Sequence, residues 1–432
     1  MNRTFIFLLT AFFAFSNPLI SGVTGVKKTI LPNGIVILTK PVRTNGIVSV
    51  EVTSKMGSLY ESDEDAGICM LMQSTLQKGT KTRNSEQIAL ELETMGTRLS
   101  AGSDREYGTI GMQTTSESLY KSLDILYDVI LNAEFPQDAL DLQKNLQARN
   151  LMLRYDQPIY KAMDLMVDTH YGKHPFHKPV MGYPESIKAI TRDNVLKYYR
   201  TVYVPSNIVI TFVGNFDEKE VLENVKNNLG PLKGTMNLNQ VAAEMPEHKS
   251  PMEKTETRET AASWFAIGWD APRQEDPDFY SMEMLNAITG GSMNSRLFVA
   301  IREQRGLAYQ VSSFYNPRIE SGLFVAYVGT KPETYEEAKK VLIDEVRKMG
   351  TEEPSAEEIT HAKSYLKGMN IMSQESNSGQ ASQLGEYEIL GLGYDFGSRY
   401  NENISKISAK DIIETGRKYL EENYTLGGVL AK

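Results

Sequence analysis

Gly108-Thr-Ile-Gly-Met-Gln-Thr114 and Gly322-Leu-Phe-Val-Ala-Tyr-Val328 decide the fold, because each opens the same succession of elements. Both read as β-strands. The first runs into 116–130, where Leu119, Leu123, Leu126 and Val129 recur at helical spacing. The second runs into 332–346, where Ala338, Val341, Leu342 and Val346 share one helix face. A further helix follows each time. One starts near Pro136 and passes through Asn150-Leu151-Met152; the other starts near Pro354 and passes through Asn370-Ile371-Met372. Proline suits a helix's first turn, where the N–H it lacks would have no partner. The same order twice indicates a diverged internal repeat. The expected fold is α+β, in two similar domains.

Working outward, residues 34–39 and 47–53 alternate as strands, and 207–213 reads as a buried strand. Residues 66–77 make a short apolar helix. Residues 85–95 make another, capped by Asn84 or Ser85 and closed by Gly96. The first domain is expected over 27–230 and the second over 257–432. Residues 231–256 are polar, contain Pro and Gly and keep no period, so they read as a linker. A chain of 432 residues is too long for one ordinary core. Its 41% hydrophobic and 23% charged residues are those of a soluble globular protein. A net charge of -9 without a dense Lys/Arg block argues against nucleic acid as a partner. The single cysteine, Cys69, excludes an intrachain disulfide and a Cys-rich metal centre. Arg3 precedes an apolar run over 5–15 that is too short to span a bilayer, which predicts a signal peptide within 1–22. The mature chain is therefore expected to be periplasmic or extracellular, with no membrane span left after signal removal.

Gly67-Ile-Cys-Met-Leu-Met-Gln-Ser-Thr-Leu-Gln-Lys-Gly-Thr80 resembles the zinc-motif segment of the pitrilysin/insulinase peptidases, in which H-x-x-E-H on a helix stands between a Gly and Lys-Gly-Thr. In that frame the two histidine positions fall on Met70 and Ser74 and the glutamate on Gln73. The stretch Asn150-Leu-Met-Leu-Arg-Tyr-Asp-Gln-Pro158 resembles the one carrying the family's third ligand, and the ligand position holds Asn150. Two His at i and i+4 on one helix face share a metal, and the Glu beside them accepts a proton from metal-bound water. A thioether, a hydroxyl and two amides do neither well. The expectation is no cofactor in this chain. The resemblance extends over nearly the whole chain past the apolar run, through Leu31-Pro32-Asn33-Gly34, His174-Pro175-Phe176, Val204-Pro205-Ser206-Asn207 and Val213-Gly214-Asn215-Phe216-Asp217. His174 and His177 have a metal-like spacing, but Pro175 and the missing carboxylate partner favour a structural loop. His170, His248 and His361 show no metal spacing with one another.

In the second half, Gly290-Gly291-Ser292-Met293-Asn294-Ser295-Arg296-Leu297-Phe298 leads into Ile301-Arg302-Glu303-Gln304-Arg305-Gly306-Leu307-Ala308-Tyr309. This resembles the family's second-domain signature. Alone, Arg302 would read as a helix cap, Tyr309 as a core residue and Arg305 as a solvated helix-end charge. The resemblance implies more: an Arg and a Tyr seven residues apart that reach the reacting peptide. It also implies that each domain is an antiparallel-rich sheet packed with helices, and it implies a partner, a zinc-bearing homologous subunit with an intact H-x-x-E-H, and peptide substrates. The expected function is a non-catalytic subunit of an extracytoplasmic zinc metallopeptidase, inactive alone, supplying Arg302 and Tyr309. The rival expectation is a non-enzymatic scaffold or peptide-binding protein of the same fold.

Overall fold

The computed structural model describes residues 25–236, 245–421 and 423–432. The signal peptide expected within 1–22 lies outside them, as does the middle of the expected linker. The first half runs β1 (Lys27–Ile30), β2 (Val36–Pro41), β3 (Ile47–Lys55), α1 (Ile68–Thr75), α2 (Ser85–Thr94), β4 (Arg98–Ser103), β5 (Tyr107–Thr115), α3 (Leu119–Asn132), α4 (Gln137–Tyr155), α5 (Pro158–Tyr171), α6 (Pro184–Ala189), α7 (Arg192–Val202), β6 (Val209–Gly214) and α8 (Glu218–Leu229). The second half runs β7 (Met252–Arg258), β8 (Ser263–Ala271), α9 (Phe279–Thr289), β9 (Ala308–Pro317), β10 (Gly322–Thr330), α10 (Tyr335–Lys348), α11 (Ala356–Ser373), α12 (Asn377–Ile389), α13 (Tyr400–Lys406), α14 (Ala409–Tyr419) and β11 (Thr425–Ala431).

Two sheets result, ordered β1-β2-β6-β3-β5-β4 and β7-β11-β8-β10-β9. Each holds one parallel pair, β2 with β6 and β7 with β11; the other pairs are antiparallel. Matching β2 to β7, β6 to β11, β3 to β8, β5 to β10 and β4 to β9 superposes the two connection patterns, with β1 left over. The repeat in the sequence is thus a repeat of topology. Its apolar stripes point inward: Leu119, Leu123, Leu126 and Val129 of α3 are buried, as are Ala338, Leu342 and Val346 of α10. The helix over 85–94 carries a reciprocal Asn84/Gln87 capping box.

The two halves exchange a helix. Helix α5 of the first half packs on β8 and β11 of the second sheet, and α12 of the second half packs on β3 and β6 of the first. Met166 of α5 is buried among Ala266, Leu323 and Val325; Ala381 and Leu384 of α12 are buried among Leu38, Val209 and Val213. Strand β6 is buried along its whole length, as an inner strand covered on both faces must be.

Residues 252–256, expected to be linker, begin strand β7, which pairs in parallel with β11 from Met252 opposite Thr425. An edge strand exposes most of its side chains, so Met-Glu-Lys-Thr-Glu-Thr-Arg needs no hydrophobic period and gives no signal of one. No helix among the described residues is long and apolar enough to cross a membrane.

Candidate functional site

Helix α1 begins at Gly67, whose left-handed φ of 90 turns the chain into the helix. The buried carboxylate of Glu61 accepts hydrogen bonds from the backbone N–H groups of Gly67 at 2.9 Å and Cys69 at 3.0 Å, capping donors that the helix leaves free. Burial pushes this carboxyl up to about 7, against the pull of those N–H groups and of Lys178. Burial also pushes the Cys69 thiol up. Across from α1, Gln147 of α4 donates to the carbonyls of Gly67 at 3.1 Å and Met181 at 2.9 Å, fixing the two helices against each other.

Between them lies a cleft of about 260 Å³ into which Met70, Gln73, Ser74 and Asn150 all project, with Ala101, Gly102 and Ser103 of β4 as its other wall. The four positions picked out by the motif frame are therefore neighbours in space. Their chemistry does not fit a zinc ion. The amide nitrogen of Gln73 donates to the carbonyl of Gly102 at 3.0 Å, and its oxygen accepts from the Tyr203 hydroxyl at 2.9 Å. Both ends of that amide are held inside the protein. The Ser74 hydroxyl donates to the Leu71 carbonyl at 3.0 Å, one turn back on its own helix. Met70 offers a soft thioether and Asn150 a neutral amide; no anionic or imidazole ligand lines the cleft.

The second signature is built differently. Residues Phe298–Glu303 form a π-helical turn, with Gln304 N–H donating to Val299 C=O at 2.9 Å. Such wide turns interrupt regular helices at functional sites more often than elsewhere. Arg302 leaves this turn exposed. Its guanidinium lies 5.2 Å from the centre of the Phe298 ring, and among the described residues it makes no hydrogen bond or ion pair. Arg305, expected to be a solvated helix-end charge, is exposed yet donates to the Ala300 carbonyl at 2.7 Å, closing the same turn. Tyr309 is the second residue of the edge strand β9; it is 54% exposed, and its hydroxyl has no partner among the described residues. Neither Arg302 nor Tyr309 lines the motif cleft, whose walls come from the first half alone.

His174 is buried, with Nε2 3.2 Å from Glu320 and Nδ1 accepting from the Phe176 N–H at 3.3 Å. His177 faces Asp63 at 3.2 Å. The carboxylate partner expected to be missing is therefore present for each, brought in by the fold from distant parts of the chain: Glu320 ties His174 to the second half, and Asp63 holds His177 within the first. The reading of His170 and His248 as unrelated is corrected: they meet at Asp270. Nothing in their separation along the chain could have announced it, because a helix end, a connecting segment and a strand are brought together only by the exchanged helix.

Residues 36–182 match the family model described as insulinase (peptidase family M16), and residues 189–366 match that of the peptidase M16 inactive domain. Similar proteins include an uncharacterized zinc protease of Rickettsia felis, 29% identical over 390 residues that cover 90% of this chain and 93% of that protein. The uncharacterized zinc protease YmxG of Bacillus subtilis is 26% identical over 404 residues, covering 93% and 97%. Among solved structures, a peptidase M16 inactive domain from Pseudomonas fluorescens superposes with a TM-score of 0.86 at 21% identity, covering 94% of this chain and 98% of that one. A protease from Helicobacter pylori does so with a TM-score of 0.86 at 20% identity, covering 94% and 99%. With both of its halves matched in order and the same two-sheet fold, this chain belongs to peptidase family M16, the insulinase family.

Proposed function

We propose that this chain is the non-catalytic subunit of an extracytoplasmic zinc peptidase, and that it acts through Arg302 and Tyr309 on a peptide held at a zinc-bearing homologous subunit. The observation that carries the reading is a contrast between two sites. The family's ligand and base positions gather in one cleft with side chains unsuited to zinc, whereas Arg302 and Tyr309 stand exposed with no internal hydrogen bond to satisfy. Polar side chains tied up inside a protein are structural; those left free at an edge strand are available to a ligand.

The division of labour follows from side-chain type. The partner subunit brings the metal and the base. The Arg302 guanidinium, a rigid fork of donors, holds a peptide carbonyl in place. The Tyr309 hydroxyl donates to the oxygen of the attacked carbonyl as negative charge grows on it, an interaction stronger in the transition state than in the ground state. The leader over 1–22 would take the chain out of the cytoplasm to meet that partner.

The test is reconstitution with the homologous subunit that carries an intact H-x-x-E-H. Wild-type chain should raise peptide hydrolysis, while Tyr309→Phe and Arg302→Ala should each lower turnover by about 10²–10³-fold, the usual effect of losing one oxyanion donor. KM should change less, and the complex should still co-elute on gel filtration. Variants that assemble and support full turnover would overturn the catalytic reading and leave the scaffold role in its place.

A further inference from the structure

Outside the degenerate cleft, one cluster of metal-ligating atoms stands out among the described residues. His170 sits in the last turn of α5, Asp270 at the end of β8, and His248 in the segment that leads into β7. One ligand atom from each lies within 4.8 Å of the others. His170 Nε2 is 3.2 Å from one carboxylate oxygen of Asp270, and His248 Nδ1 is 3.1 Å from the other. Adjacent ligands of a tetrahedral ion bonded at 2.0–2.1 Å are about 3.3 Å apart, and each ring nitrogen stands at about that distance from the nearer of the two Asp270 oxygens.

We propose that His170, His248 and Asp270 form a binding site for a borderline divalent transition cation of the zinc class, and that the bound ion clasps the exchanged helix α5 and the connecting segment to the second sheet.

The far nitrogens carry the argument. His248 Nε2 lies 2.9 Å from the carbonyl oxygen of His170, which can only accept, so this nitrogen bears the hydrogen. In a neutral ring Nδ1 is then the lone-pair nitrogen, and it faces a carboxylate. His170 Nδ1 contacts the hydroxyl of Thr425, the first residue of β11, at 3.2 Å. Its Nε2 is buried without a hydrogen-bond partner and points to the same carboxylate. Two ring nitrogens thus face one carboxylate; in the empty site a proton on a ring nitrogen can hold them together, and a divalent cation would take that proton's place. The outer contacts are also those that ligating histidines need: a backbone carbonyl behind His248, which fixes its tautomer, and behind His170 a hydroxyl able to accept from Nδ1 when Nε2 is the ligating nitrogen. Two imidazoles and one carboxylate favour zinc, cobalt, nickel or iron(II) over calcium or magnesium, whose sites are built from oxygen. The Asp270 side chain is 52% exposed, which gives the ion a way in and leaves room for water as a fourth ligand.

This site is separate from the Met70 cleft, so its occupancy and the peptidase proposal stand or fall apart. The experiment is a titration of chelator-stripped full-length chain with zinc, followed by calorimetry and thermal melting, and repeated with cobalt(II) to read nitrogen/oxygen ligation from its visible absorption. One zinc per chain and a raised melting temperature are expected. Asp270→Asn and His248→Ala should weaken binding by more than about 100-fold, the upper end of what losing an outer contact costs. Thr425→Val, which removes only the outer hydroxyl, should weaken it by about 10–100-fold. Ser74→Ala should leave stoichiometry and affinity as they are, which separates this site from the motif cleft. If wild-type chain shows no saturable zinc binding up to about 100 μM, the site is a hydrogen-bonded strut and the proposal fails. Binding that survives in a folded Asp270→Asn chain overturns it equally.

Discussion

At Gln73 both ends of the side-chain amide are in use, one donating to Gly102 and the other accepting from Tyr203. Restoring the family's glutamate here would therefore be costly. A carboxylate at this position keeps the bond from Tyr203 but turns its second oxygen toward the Gly102 carbonyl, acceptor against acceptor. Gln73→Glu should lower stability by about 1–3 kcal/mol at pH 8, the cost of a buried unsatisfied polar group. The loss should shrink as pH falls, because a protonated carboxyl can donate again. Its folded-state pKa would be raised, so the stability it contributes is present at low pH and lost on the way up. Thermal melts at pH 5 and pH 8 check this, and equal losses at both would sink it. Tyr309 is the opposite case. With an exposed ring and a free hydroxyl, Tyr309→Phe should change stability by less than about 0.5 kcal/mol, so a loss of activity in that variant cannot be charged to folding. The family resemblance was enough to single out Met70, Gln73, Ser74 and Asn150, which meet in one cleft; helix spacing alone puts Met70 and Ser74 on one face of α1 and says nothing of Asn150 on α4. It could not tell which of them are tied up internally. Tyr203 lies far from Gln73 along the chain, and only the folded core brings its hydroxyl there.

At the scale of elements, β2, β3, β5, β6 and β10 with α1 to α4, α10 and α11 were legible, most of them by an apolar period that is set by the faces they bury. The exchange of α5 and α12 was not. A helix's apolar stripe says that it is covered, but not by which sheet. What marks these contacts is glycine. A Cβ added at Gly427 of β11 would lie 2.1 Å from the Ala162 carbonyl oxygen of α5, and one added at Gly385 of α12 would lie 2.6 Å from the Thr53 hydroxyl of β3. Backbone cannot move aside as a side chain can. Gly427→Ala should therefore destabilise by about 1–3 kcal/mol through overpacking. Gly385→Ala should do so by less, since a threonine can rotate and alanine improves the helix. Denaturant melts give the order, and a neutral Gly427→Ala would mean that α5 does not pack this closely. Helix α1 offers a pH test. Glu61 at its N-terminus is raised from 4.5 to about 7 by burial, so folding favours its protonated form. Its contribution is full below about pH 4.5 and is lost as pH rises through about 7, some ~3 kcal/mol over that window. In Glu61→Gln this component should vanish, flattening the stability profile between pH 5 and 8 relative to wild type. An unchanged slope would mean that the carboxyl stays ionised in its pocket.

For the molecule as a whole, the two halves are alike in topology but are not independent units. Helix α5 hides its apolar face on the second sheet and α12 hides its own on the first. Polar ties run the same way. Arg318 lies 3.7 Å from both Asp104 and Glu106, the Ile319 N–H donates to Glu106 at 3.0 Å, and Asn377 donates to the Ile47 carbonyl at 3.1 Å. The sequence repeat points to two domains joined by a linker; the exchanged helices predict that the two fold and unfold as one body. Residues 25–236 and 245–432 produced as separate chains should each fail to fold cleanly. The first would leave Met166 and its neighbours on α5 in water, and the second would do the same with Leu384 on α12, at about 1.5–3 kcal/mol for each large apolar side chain exposed. An isolated sheet would also lose the cover on one face, presenting the kind of apolar patch that drives association. Each half alone should bind a hydrophobic dye and elute as aggregate, whereas the two produced together should form a one-to-one complex that melts in a single transition. A half that runs as a monomer with its own sharp melt would show that the exchanged helix contributes little, and would restore the simpler picture of two beads on a string.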